Sequence, residues 1–176
     1  DNQVAWTSSS NDALSIQGGN ATLGQGGAVT VTATINGEYE RNVDLLIANC
    51  AYAGTGTQLD PYIITTEAQL RCFASNVNDV HSTYSGVYFQ LANDITLTGD
   101  WTPVGYSSSY PFQGHFDGND KTISGLYIYK TDNTTASDYQ ALFGYISGAT
   151  ISNLTVEGSV RARNYVAGIV AYASAT

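Results

Sequence analysis

The heptapeptide TISGLYI at 122–128 returns 28 residues later as TISNLTV at 150–156. An earlier DITLTG at 94–99 stands about one such period before it. A second track runs alongside: GHFDG at 114–118, ALFGY at 141–145 and AGIVAY at 167–172, about 27 residues apart. Repeats of this length, made of short apolar strands and Gly/Asn turns, predict a solenoid. One repeat cannot bury its own inward residues, so stacking supplies the core. No helical pattern lies between the repeats, which selects a β-solenoid. The expected inward residues are Leu91, Ile95, Leu97, Phe116, Ile123, Leu126, Ile128, Phe143, Ile146, Ile151, Leu154 and Val156.

The segments before the repeats follow other rules. In GAVTVTATI, Val29, Val31, Ala33 and Ile35 alternate with Thr30, Thr32 and Thr34, which predicts a strand with one buried face. Asn36–Gly37 then turns the chain toward Val43, Leu45 and Ile47, and Gly18–Gly19–Asn20 is an earlier hairpin signal. Gly54–Thr55–Gly56–Thr57 reads as a linker or turn. Beyond it, Thr65 or Thr66 is positioned to cap a helix over 66–77, with Leu70, Phe73, Ala74 and Val77 on one apolar face. This helix is expected to cover the end of the repeat stack.

Composition narrows the partners. Six basic residues stand against fifteen acidic ones, a net charge of −9, which repels phosphate backbones and anionic membrane surfaces. Nucleic acid is therefore not expected as a partner. No run of about eighteen apolar residues is present, so no membrane insertion is expected from this segment. Charged residues are only 12% of the chain, and 18 Gly and 13 Tyr favour strands and tight turns, as in extracellular β-proteins. Cys50 and Cys72 fit no zinc spacing; they read either as one disulfide or as two buried thiols. The abrupt strand-like ends, near Trp6 and in AGIVAYASAT, suggest a trimmed piece with missing flanks.

VAWTSSS followed by AVTVTATINGEYERNVDLLI resembles a bacterial Ig-like domain of group 2, without the opening strands that the family has before the Trp6 position. GTGTQLDPYIITTEAQLRCFA, YFQLANDITLTGDWTPVG, PFQGHFDGNDKTISGLYI and ALFGYISGATISNLTVEGSV resemble bacterial surface proteins that carry GLUG-motif repeats on a right-handed β-helix. Two motif copies stand as Ala141–Leu142–Phe143–Gly144 and Gly168–Ile169–Val170–Ala171, each with Ala in place of one glycine, which predicts looser turns there. The resemblance implies an all-β chain: residues 1–49 a partial Ig-like domain, residues 50–176 a right-handed parallel β-helix with a short capping helix, cut short at its C-terminus. It further implies a secreted or cell-surface bacterial protein with adhesion-like roles, and no chemistry.

Local chemistry agrees with that last point. His115, Asp117, Asn119, Asp120 and Lys121 cluster in one stretch, yet Asp117, Asn119 and Asp120 offer too few oxygens for a calcium loop. The stretch reads first as a turn, with Gly118 and Asn119 at unusual φ and Asp117 bonding its own downstream backbone. Asp94, Asp100, Asp117, Asp120, Asp132, Asp138 and Glu157 do not recur at one repeat position, though neighbouring coils could still bring two carboxyls to the roughly 5–10 Å that glycoside cleavage needs. His81 and His115 lack any nucleophile motif. Tyr127 and Tyr129 alternate with Leu126 and Ile128 and should face outward, and with Trp101 they are the candidate ligand contacts. Asn20, Asn133 and Asn153 head Asn-x-Ser/Thr sequons, where a turn Asn bonding backbone is the duller reading. The expectation is a non-catalytic module without cofactors that binds an extracellular glycan or host protein or spaces another domain. The alternative is a polysaccharide-active β-helix enzyme or a non-catalytic part of a larger surface peptidase.

Overall fold

The computed structural model describes residues 4–8, 14–17, 20–23, 27–35, 39–47, 51–132 and 134–175. The chain is mostly β and divides into two compact units, Asp1–Ala51 and Tyr52–Thr176.

The first unit contains β1 (Val4–Ser8), β2 (Leu14–Gln17), β3 (Asn20–Leu23), β4 (Gly27–Ile35) and β5 (Tyr39–Ile47). β4 lies between β1 and β5, antiparallel to both, and β2 pairs with β3. The expected turn residues Gly18–Gly19 and Asn36–Gly37 lie outside the described residues. The registers Gln17↔Asn20 and Ile35↔Tyr39 are those of hairpins. The expected buried face of β4 is not found: Thr30 to Thr34 are all half-buried, Ile35 is exposed, and Trp6 on β1 is 50% exposed. A period of two sorts side chains to two faces, but only a covering layer buries one of them. None of the side chains described in this unit is buried.

The second unit contains β6 (Tyr62–Ile64), α1 (Glu67–Asn78), β7 (Tyr88–Leu91), β8 (Ile95–Thr96), β9 (His115–Tyr129), β10 (Asp138–Gln140), β11 (Phe143–Ser147), β12 (Thr150–Arg161), β13 (Asn164–Val166) and β14 (Val170–Ser174). All pairings between these strands are parallel. They place residues in rows that run from strand to strand. One row is Tyr62, Phe89, Phe116 and Ile151. Another is Ile95, Ile123 and Val156. A third is Val104, Phe143 and Val170.

These rows correct the sequence period at one place. Ile95 does sit opposite Ile123, so DITLTG and TISGLYI are neighbours as expected. TISNLTV is not the next step. Ile151 pairs with Phe116 and Val156 with Ile123, so its Thr-Ile-Ser stacks on His115–Phe116–Asp117. Phe143 likewise shares a row with Val170 and not with Phe116. The step lengthens from 27 residues, Phe89 to Phe116, to 35, Phe116 to Ile151. That longer repeat carries the segment 130–137 with its 3-10 turn Thr135–Ser137. The heptapeptide match reflects shared strand chemistry at two different positions of the repeat.

Most expected inward residues are buried: Leu91, Ile95, Leu97, Phe116, Ile123, Leu126, Ile128, Phe143 and Ile146. Ile151, Leu154 and Val156 pack on this core but are only half-buried. They belong to β12, the end strand in the sheet order β12-β9-β7-β6, with a neighbour on one side.

α1 starts where the sequence places it. Thr66 accepts a hydrogen bond from Gln69 N at 3.2 Å, and Gln69 Oε1 accepts in return from Thr65 N at 2.7 Å. A cap of this kind stabilises a helix by about 1 kcal/mol. Leu70, Phe73, Ala74 and Val77 are buried, with the Phe73 ring 4.7 Å from Phe89 and 5.3 Å from Phe112. The Glu67–Arg71 pair, 2.8 Å apart, grips the 98–100 backbone: Glu67 accepts from Thr98 N, and Arg71 donates to the carbonyls of Thr98 and Asp100. Buried Asn78 ends the helix by acting as a strand partner. Its amide donates to Pro103 O at 2.9 Å and its carbonyl accepts from Gly105 N at 3.0 Å. The segment around Val104 pairs with Phe143 on its other side. Cys72 is buried and disulfide-bonded. Cys50 lies outside the described residues.

The motif glycines divide by position. A Cβ on Gly168 would meet nothing within 4 Å, and its row partner Ala141 is fully buried, so that position accepts Ala. A Cβ on Gly144 would lie 2.7 Å from Tyr139 O and 2.8 Å from Gly105 O. Close backbone approach, not backbone conformation, requires glycine there.

Candidate functional site

The parallel sheet presents one face outward. On β7, Tyr88 and Gln90 alternate with inward Phe89 and Leu91; on β9, His115 and Asp117 flank Phe116. On β12, Thr150 and Ser152 flank Ile151. Parallel register then builds two columns across the strands, Tyr88–His115–Thr150 and Gln90–Asp117–Ser152. With Gln58 and Pro61 they line a groove of about 430 Å³, inside the range of small-ligand sites. The buried Phe89 and Phe116 rings lie beneath this face and hold it to the core.

The groove has a flat element and a polar one. The Tyr88 and His115 rings stack with centroids 4.2 Å apart and 18° between planes. Asp117 is the polar centre. Its Oδ1 accepts from Asn119 N and from Asn153 Nδ2, both at 2.9 Å, and its Oδ2 accepts from Gln90 Nε2 at 3.2 Å. Burial pushes the Asp117 carboxyl upward, but these three hydrogen bonds outweigh it and hold its pKa below the ordinary value.

These contacts define the stretch around His115. Asp117 bonds its downstream backbone, as expected of a turn. The unusual φ values fall on Asn119 (49°) and Asp120 (58°), one residue later than the sequence suggests. Gly118 serves close packing instead, because a Cβ there would lie 2.3 Å from Asn153 O. Asn119 donates to Leu91 O at 3.1 Å, and Asn153, the sequon residue, bonds the Asp117 side chain rather than backbone. Among the described residues, no group of three or more His, Cys, Asp or Glu is placed to hold a metal ion. Asp117 is the one carboxylate lining the groove, whereas glycoside cleavage requires two.

The remaining candidates lie elsewhere. Tyr127 and Tyr129 point outward, 46% and 51% exposed, between buried Leu126 and Ile128. The Arg161 guanidinium sits 5.3 Å from the Tyr129 ring. Trp101 is not with them. It is 3% exposed, and its indole N–H donates to Leu142 O at 3.0 Å, which makes it a core residue. Sequence reasoning passed over Tyr88, Gln90, Thr150 and Ser152. The alternation in YFQL marks the first two as outward, but only the 35-residue step brings Thr150 and Ser152 beside His115 and Asp117.

No family model matches the chain. It is 35% identical over 113 residues to a protein of Evansella cellulosilytica described as a candidate Gly-rich membrane protein. It is 36% identical over 115 residues to halomucin of Haloquadratum walsbyi. The matches cover 60% and 61% of the chain but only 12% and 1% of those relatives' own lengths. Among solved structures it is similar to a candidate immunoglobulin A1 protease of Bacteroides ovatus, 28% identical, with a TM-score of 0.37 over 58% of this chain and 29% of that one. A likeness at that TM-score carries no argument. Among the described residues, no helix is long and apolar enough to cross a membrane.

Proposed function

We propose that the chain is a non-catalytic module of a secreted or cell-surface protein and holds an extracellular ligand in the Gln58–Ser152 groove. The observation that carries this reading is the register of Tyr88, Gln90, His115, Asp117, Thr150 and Ser152 on one sheet face. Six side chains set in register by parallel pairing form a contact surface on a fixed backbone, which lowers the ordering cost of binding. The groove's one carboxylate is engaged by three N–H donors, which favours recognition over acid–base work. The descriptions of the two relatives, a Gly-rich membrane protein and a halomucin, support a surface setting.

The scaffold belongs to the same proposal. Parallel rows, one repeat per step, support a β-helix with GLUG-type repeats over 50–176. Parallel crossovers are right-handed in about 98% of cases, which supports a right-handed coil. The antiparallel β1–β4–β5 set supports a partial Ig-like sheet over 1–49.

A screen of the chain against surface polysaccharides and extracellular-matrix proteins tests the function. The expected result is a retained partner that is lost on Ser152→Trp, which fills the groove. Absence of any partner leaves only a spacer role, and a partner that Ser152→Trp still retains overturns the groove as the binding site.

A further inference from the structure

The groove's chemistry also narrows what it takes. Resting on the binding role proposed above, we infer that its ligand is an uncharged saccharide. The backbone decides first against a peptide strand. The groove lies on the face of the sheet: β7 is paired on both sides, by β6 and β9, and β9 by β7 and β12, while β12 has a neighbour on one side. On β7 and β9 the main-chain groups are consumed in ladders and cannot add another strand, so side chains do the recognition over the centre of this face.

Those side chains match a sugar ring. Strands about 4.8 Å apart, with same-face residues about 6.7 Å apart along each, give three strands' width and two residues' depth. Tyr88 and His115 stand as stacked rings, and the next residue in their column is the short Thr150. The floor steps down beside the imidazole and leaves a flat face for the C–H side of a pyranose. The second column sets an amide, a carboxylate and a hydroxyl, Gln90, Asp117 and Ser152, within one sugar's reach. Together with the Thr150 hydroxyl they offer donors and acceptors in mixture, as sugar hydroxyls require.

Charge selects among sugars. Asp117 is the one acidic residue lining the groove, no Lys or Arg lines it, and the chain carries −9 overall. Uronates, sulfated glycans and phosphates are repelled. Toward a cationic partner Asp117 keeps its charge, but three N–H donors already occupy its oxygens and compete with that partner's own hydrogen bonds.

Affinity electrophoresis of the full chain through gels containing cellulose derivatives without charge, mannan, galactan, polygalacturonate or heparin tests the assignment. Retardation is expected by a neutral polymer and not by polygalacturonate or heparin. His115→Ala and Gln90→Ala should each weaken it about tenfold, the value of one good contact. Ser152→Trp should abolish it, and Tyr127→Ala, on another part of β9, should leave it unchanged. Circular dichroism and amide NMR spectra confirm the fold of each variant, and the two outward alanine variants keep the test open should Ser152→Trp misfold. Preference for an acidic polymer, or neutral binding that ignores all groove variants, overturns the inference. Capture of a matrix protein with the same groove sensitivity also overturns it, yet leaves the proposed binding role standing. No ligand in either screen overturns both.

Discussion

Asp117 shows how one residue can look like chemistry and act as structure. Its neighbours His115, Asp120 and Lys121 suggest a reactive cluster, but its carboxylate is bonded to Asn119 N, Asn153 and Gln90. A depressed folded-state pKa means that the unfolded chain binds the proton more readily. The stabilisation is thus complete above the unfolded value, about 3.9, and is lost as pH falls through the lower folded value. Asn153→Ala removes one donor from the carboxylate. Asp117 should then titrate at higher pH, read from its side-chain carbon shift by NMR, and acid unfolding should begin at higher pH than in the parent. An unchanged Asp117 titration would contradict the arrangement. Sequence made the Asp117–Asn119 turn legible because an Asx bond spans two residues. The Asn153 contact was not legible, because it spans a repeat of irregular length.

Tyr139 and Tyr165 carry a conflict of the same scale. Both adopt left-handed φ, 58° and 52°, which costs a bulky side chain of order 1–2 kcal/mol. Their rings stack at 4.8 Å, and both meet Tyr172 edge-on, at 5.7 and 5.5 Å. Aromatic pairs worth about 0.5–1.5 kcal/mol each offset the backbone cost.

At the scale of elements, α1 does what a strand would otherwise do. A stack of parallel strands ends in free N–H and C=O groups, and the Asn78 side chain meets two of them, Gly105 N and Pro103 O. Asn78→Leu keeps the branched shape, with slightly more bulk, and removes both bonds. The expected loss is about 2–4 kcal/mol in urea unfolding, since each buried polar group left unpaired costs about 1–3 kcal/mol. A loss below about 0.5 kcal/mol, the range of ordinary surface substitutions, would show that the helix covers the end by apolar contact alone. The helix itself was legible through Thr66 and the spacing of Leu70, Phe73 and Val77, all local signals. The pairing of β12 was not. TISNLTV looks like TISGLYI because both strands need a β-branched inward residue and a hydroxyl-bearing outward one, and that demand holds at more than one place in the repeat.

The whole molecule consists of two units with different means of stability. The second has rows of buried residues, from Ile64 to Ile146. In the first, no described side chain is buried. We therefore expect a fragment of residues 50–176 to unfold cooperatively within a few degrees of the full chain, measured by circular dichroism at 222 and 215 nm (roughly the helix and strand bands). A fragment that fails to fold would overturn the division.

The use of a side chain to finish one end of the stack also gives the second unit a direction. A strand stack with two bare ends could join head to tail without limit. Here the end beside Asn78 has spent its hydrogen bonds internally, on Pro103 O and Gly105 N. A further strand arriving at that end would find Gly105 N and Pro103 O already engaged, with no ladder left to begin there.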